Sequence, residues 1–139
     1  MAITQALCVA FKQDLMDAGQ DLTTATLKLA LYDNTATLNE NTAAYATANE
    51  VSGTGYSAGG ATLTNVAVTT DGNVAIFDAD NVSFANATIT AQAALIYNNS
   101  NSNSAICVLD FGENKSSSNG TFEIQFPTPD ASNALIRIS

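Results

Sequence analysis

Residues 26–32 read Thr-Leu-Lys-Leu-Ala-Leu-Tyr, with a leucine at every second position. Successive side chains of a β-strand point to opposite faces, so Leu27, Leu29 and Leu31 are predicted to share one face of a strand. Asp33 and the residue after it are typical turn residues, so the strand is predicted to end there. Further strands are predicted over residues 61–68, 73–77, 81–84, 88–97, 105–111, 121–126 and 135–138. Short strands at this spacing predict a mainly β chain: an antiparallel β-sandwich or barrel of about eight strands.

One N-terminal amphipathic α-helix is predicted over about residues 4–18. Thr4 is a suitable N-cap, Leu7, Phe11 and Leu15 recur every four residues, and Gly19 follows as a stop. The apolar face fits a lid over the sheet, which we favour, or a surface that docks to a neighbouring subunit. The whole chain, residues 1–139, is predicted to be a single domain whose β-part covers about residues 26–139.

Three segments are predicted to lie outside the sheet. Asn and Ser dominate residues 98–104, and residues 112–120 are rich in Ser and Gly, so both are expected to be exposed loops between neighbouring strands. Residues 35–56 have little periodicity and are predicted to form a long surface excursion. The Gly-rich stretch 53–60 lacks the lysine of a phosphate-binding loop, and is interpreted as a sharp bend that lets Tyr56 pack.

Charge excludes several classes of function. The chain has 4 basic and 13 acidic residues, a net charge of −9, so no basic cluster can neutralise phosphates or anionic lipids. We therefore predict no nucleic-acid partner and no membrane partner. The N-terminal residues lack a secretory signal pattern, which predicts synthesis in a cytosol.

The residue types in the chain also restrict which catalytic and metal-binding sites it could form. Histidine, the usual base for a serine or cysteine nucleophile, is absent, so no enzyme activity, catalytic residue or cofactor is predicted. Asp78 and Asp80 are weak calcium candidates, because aspartate is also an ordinary turn residue. A glycosidase pair would need a carboxylate cleft, which nothing in the sequence supports. Cys8 and Cys107 could form one disulfide, but two small buried hydrophobic residues are favoured.

Several segments resemble the sequences of small virion structural proteins of tailed bacteriophages. The main one is residues 49–63, NEVSGTGYSAGGATL. The others are MAITQA (1–6), LKLALY (27–32), AALIYN (93–98), VLDFG (108–112), IQFP (124–127) and ALIRI (134–138).

The resemblance implies a capsid decoration, or cement, protein in the virion, made in the cytoplasm of a bacterial host. It implies the major capsid protein as partner and a homo-oligomer, with a trimer as one form. The interface candidates are Leu7, Phe11, Leu15, Tyr45 and Tyr56. The alternative is a tail-associated fibre or adhesin component that binds a host receptor, but the two clearest predicted loops contain no aromatic residue.

Overall fold

The structure is a computed structural model that describes residues 3–130 and 132–138. These residues form eight strands and one helix, which confirms the prediction of a mainly β chain. The elements are β1 (Ala6–Leu7), α1 (Val9–Met16), β2 (Leu27–Tyr32), β3 (Ala61–Thr62), β4 (Ala67–Asp71), β5 (Val74–Asp78), β6 (Val82–Asn98), β7 (Ser104–Ile124) and β8 (Ile136–Ile138).

The strands form two antiparallel sheets. The larger sheet has the order β1-β7-β6-β2-β3, and the smaller has the order β4-β5-β8. Neither sheet closes on itself, so of the two predicted architectures the barrel is not formed. One cluster of buried side chains takes members from both sheets, including Phe77 and Ile136 of the smaller one. The helix described, with 8 residues, is too short to cross a membrane.

β2 lies inside the larger sheet, between β6 and β3. It pairs with β6 in a register that places Leu29 opposite Ile96. The three leucines are buried, as the alternation predicts. Ala30 and Tyr32 on the opposite face are buried too, and the Tyr32 hydroxyl donates to the carbonyl of Ala46 at 2.7 Å. The surface excursion therefore covers the second face of this strand.

β6 and β7 form one long antiparallel hairpin where the sequence predicted four separate strands. β6 has 17 residues and β7 has 21. The breaks in the apolar pattern are register shifts: one lies between Phe84 and Ala87, where Asn86 has a φ of 52°. A β-bulge resets which side chains face the core while pairing continues, so it interrupts the alternation without ending the strand.

The loop predicted over residues 112–120 is wrong, because these residues belong to β7. Lys115 pairs with Ala91, and Gly120 pairs with Ala87. These residues are rich in Ser and Gly because this part of the strand is exposed and irregular. Gly112, for example, has a φ of 83°. By contrast, the loop predicted over residues 98–104 does join β6 to β7, and Asn101 of this loop donates to the carbonyl of Gly19 at 2.8 Å.

The predicted start of the helix is also wrong. The helix begins at Val9, and Ala6–Leu7 is a strand that pairs with β7. Thr4 is not an N-cap: its amide donates to the carbonyl of Leu38 at 2.8 Å. The backbone groups of Ala6 and Leu7 can hydrogen-bond either within a helix or to the free edge of β7. The pairing with β7 is the one that forms, so tertiary structure overrides the local helical pattern here.

The strand predicted over residues 61–68 is divided between the two sheets. β3 ends the larger sheet, and β4 begins the smaller one. Asn65, in the connection, has a φ of 52°, a conformation that asparagine tolerates better than most residues. The polypeptide therefore turns a corner here instead of continuing as one strand.

The Gly-rich stretch packs against two strands of the larger sheet, β2 and β6. A Cβ at Gly60 would lie 1.8 Å from the carbonyl oxygen of Leu29, and one at Gly53 would lie 2.5 Å from that of Thr88. The backbone approaches so closely that only glycine fits. As predicted, the bend lets Tyr56 pack, with its ring centroid 5.2 Å from that of Phe84.

Candidate functional site

The predicted interface residues fall into three places. Phe11 and Leu15 lie on α1, at a groove between this helix and the smaller sheet. Tyr45 and Tyr56 lie in the surface excursion, where both hydroxyls contact one carboxylate. Leu7 is half-buried in β1, beside β7. The five residues therefore do not form one surface.

The groove between α1 and the smaller sheet, named here the helix groove, has a volume of about 600 Å³ and is mostly apolar. Its walls include Phe11, Leu15, Leu22, Val68, Phe77 and Ile138. Phe11 is buried, whereas Leu15, Val68 and Ile138 are 40%, 49% and 44% exposed. Three of the five large exposed hydrophobic side chains in the described part of the chain therefore meet at one groove.

The end of α1 explains why Leu15 stays exposed. The helix ends at Met16, and Ala18 has a φ of 63°, which turns the chain away. The amide of Gly19 then donates to the carbonyl of Asp14 at 2.7 Å. The helix is too short to place a second apolar turn on the core, so Phe11 is its only buried residue.

A hydrogen-bond network centred on Glu50 holds the surface excursion in place. The hydroxyls of Tyr45 and Tyr56 donate to the two carboxylate oxygens at 2.7 and 2.6 Å, and the amide of Gly59 donates at 2.8 Å. The Tyr97 hydroxyl donates to the carbonyl of Gly59 at 2.7 Å. We call these five residues the Glu50 network.

Burial raises the pH at which the tyrosines of this region ionise. Desolvation, followed by the nearby Glu50 carboxylate, raises the pKa of Tyr45 to about 12. Desolvation raises the pKa of Tyr32, Tyr56 and Tyr97 as well. Neutral phenols donate hydrogen bonds, whereas phenolates only accept them. The arrangement is a hydrogen-bond hub in which one carboxylate is the shared acceptor.

The two cysteines are free and buried. Desolvation raises the pKa of Cys8 to about 11, and burial raises that of Cys107 further. The thiolate is the reactive form of cysteine, so both residues act as small apolar side chains. The structure therefore agrees with the favoured interpretation and not with a disulfide.

The two weak calcium candidates, Asp78 and Asp80, differ in burial and in hydrogen bonding. Asp80 is exposed and accepts a hydrogen bond from the side-chain amide of Asn65 at 2.5 Å. Asp78 is half-buried at the end of β5, and its Oδ1 has no hydrogen-bond partner. Among the described residues, no group of three or more His, Cys, Asp or Glu side chains could hold a metal ion.

Sequence reasoning missed the Glu50 network. Its tyrosines are spread over residues 45–97, and nothing in a spacing of that kind brings them together. The only signal was that a chain with four tyrosines has two of them close to Glu50 in sequence. Searches with protein-family models, curated proteins and solved structures found no match to this chain.

Proposed function

We propose that this chain is a non-enzymatic structural protein of a bacteriophage virion, of the capsid decoration type. It would be made in the host cytoplasm and would stabilise the capsid by contacting the major capsid protein, as a homo-oligomer such as a trimer. The helix groove is the observation that carries the proposal. The sequence resemblance supplies the phage context.

The groove supports an assembly role because it leaves apolar area exposed at one place. Scattered exposed hydrophobic residues are normal, but a contiguous apolar patch with a polar rim is typical of an interaction site. Gln20, Asp21 and Thr23 supply polar atoms beside the apolar walls. A specific protein interface buries about 1,600 Å² in total, so the groove would be the apolar centre of a larger contact.

A small contact of this kind can bind firmly to a capsid because the capsid repeats the same surface many times. A capsid presents the same surface at many lattice positions, and subunits that contact two neighbours at once gain effective concentration. The acidic charge and the absence of a basic cluster favour a protein partner over DNA. The loop of residues 99–103 contains no aromatic residue, which favours the decoration role over a tail adhesin.

The test is to add the purified protein back to particles that lack it. We expect binding in hundreds of copies over the shell, visible by cryo-electron microscopy, and a higher temperature of capsid disruption. Val68→Lys should reduce binding at least about tenfold, because a charge would be placed in the apolar contact. Val9→Lys is the matched control, since Val9 is 48% exposed but lies outside the groove.

A few copies confined to the tail would favour the adhesin alternative. No association with particles, or equal loss of binding in both variants, would contradict the proposal.

A further inference from the structure

The two sides of the β6–β7 hairpin are not covered equally. On the β6 side, the Gly-rich stretch lies along the strand, and the amide of Thr88 donates to the carbonyl of Thr54 at 2.9 Å. On the β7 side, β1 pairs only with Cys107 and Val108. Within residues 3–130 and 132–138, no strand pairs with the outer edge of β7 from residue 109 to 124.

A groove runs along this open edge, and we name it the β7 groove. It has a volume of about 550 Å³, within the ~300–1,000 Å³ typical of ligand pockets. Its apolar walls include Leu109, Phe111, Phe122, Ile124, Phe126 and Leu135. Leu135 also lines the groove, which forms a slot beside the outer edge of β7. At one end of the slot the amide of Asp110 donates to the side-chain oxygen of Gln5 at 3.0 Å, so the part of the edge open to a partner is residues 120–124.

The side chains of β7 alternate along the slot. Phe122 and Ile124 are buried, whereas Thr121 and Glu123 are exposed on the other face. A strand added beside β7 would place its own side chains on the same two faces in alternation. Its apolar residues would lie next to Phe122 and Ile124, and its polar residues would lie next to Glu123.

The charge at the slot is mainly negative. Asp110 and Glu123 line it, and neither has an ion-pair partner in the described part of the chain. The one lysine, Lys115, is 3.7 Å from Glu113. Opposite charges on directly paired strands are stabilising, so Glu123 favours lysine or arginine on the added strand.

We infer that the outer edge of β7 from Gly120 to Ile124 binds an extended segment of a partner protein, by β-strand addition. The segment alternates aliphatic residues with lysine or arginine. Main-chain hydrogen bonds supply affinity in this mode, and alternate side chains supply specificity. A second copy of the chain fits less well, because each copy has a net charge of −9 and would bring an equally acidic edge. The inference does not depend on the proposed virion role.

The test uses the wild-type chain and a synthetic probe, acetyl-Val-Lys-Val-Lys-Val-amide. Binding is followed by NMR chemical shifts and by hydrogen exchange of the backbone amides. We expect protection of amides within residues 120–124 only. The same peptide with N-methylated valines should not bind, because it cannot donate the ladder hydrogen bonds, and a Val-Glu peptide should bind more weakly.

Glu123→Lys should weaken binding of the Val-Lys peptide about three- to tenfold and strengthen binding of the Val-Glu peptide. Glu40→Lys is the matched control, because Glu40 is exposed, lies outside the β7 groove and changes the net charge equally. The inference is overturned if the probe does not bind, if the N-methylated peptide binds as well, or if both variants behave alike. Protection of residues 120–124 by self-association alone would also overturn it, in favour of a second copy.

Discussion

Removal of the Glu50 carboxylate should destabilise the protein more than its half-buried position suggests. The carboxylate accepts hydrogen bonds from Tyr45, Tyr56 and Gly59, so Glu50→Ala leaves three donors without their acceptor. Two of these donors are phenols, which are protonated at neutral pH with or without Glu50, so they still need an acceptor. The surface excursion would lose its attachment at three points at once.

The magnitude follows from the number and type of these bonds. A hydrogen bond to a charged group contributes about 1.5–3 kcal/mol, and bonds that share one acceptor are not additive. We therefore expect Glu50→Ala to lower the free energy of unfolding by about 3 kcal/mol, a fall in Tm of roughly 10 °C for a chain of this size. Glu50→Gln keeps one acceptor oxygen, so we expect a loss of about 1–2 kcal/mol.

The assay is urea denaturation followed by circular dichroism, with native-state hydrogen exchange as the local readout. The amide of Gly59 should exchange faster in Glu50→Ala, because its acceptor is gone. Glu40→Gln is the control: this carboxylate is exposed, and we expect a change within about 0.5 kcal/mol. If Glu50→Ala and Glu40→Gln change stability equally, the Glu50 network does not hold the excursion, and the reasoning is wrong.

Three further predictions concern pH, backbone conformation and thiol chemistry. The raised pKa of Tyr45, about 12, means that the fold binds this proton more tightly than the unfolded chain, whose phenol has its ordinary value near 10. Stability is therefore expected to be intact below about pH 10 and to fall as pH rises towards 12, as urea titrations at each pH would show. Gly60→Ala should destabilise by more than about 3 kcal/mol, because its Cβ would meet the backbone of the neighbouring strand, whereas Gly72→Ala, with a similar positive φ in open space, should lose only about 1 kcal/mol. Thermal melts would compare these two variants, and equal losses would show that the close approach is unimportant. Cys8 and Cys107 should react with a thiol reagent only after unfolding, and rapid labelling of the native protein would contradict their burial.

Strong local periodicity made part of the fold predictable. Leu27, Leu29 and Leu31 are buried because period-two alternation depends only on the strand's own geometry. The start of the helix was not predictable in this way, because Leu7 fits a helical pattern and yet pairs with Cys107 far along the chain. Residues 112–120 were missed because an exposed strand of Ser and Gly has no apolar alternation to detect.

The candidate site was predictable to a smaller extent. Phe11 and Leu15 were chosen as an apolar stripe, and they do lie at the helix groove. Val68 and Ile138, on the other wall, come from strands whose position beside α1 depends on the order of the smaller sheet. Tyr45 and Tyr56 were chosen as surface aromatics, but their hydroxyls are used internally by Glu50. Whether a side chain is available for a partner depends on the folded packing, so it could not be predicted from the sequence.

The strand order of the larger sheet also sets the order in which the chain can fold. β6 and β7 are joined by a short loop, so their ladder closes with little loss of chain entropy. β2 must then find β6 with Leu29 opposite Ile96, and Leu7 must find Cys107 across almost the whole chain. A high proportion of distant pairings slows folding to milliseconds or longer. We therefore expect the hairpin to form first and the N-terminal strand to attach late, so that the edge of β7 at Cys107 and Val108 is open until β1 pairs with it.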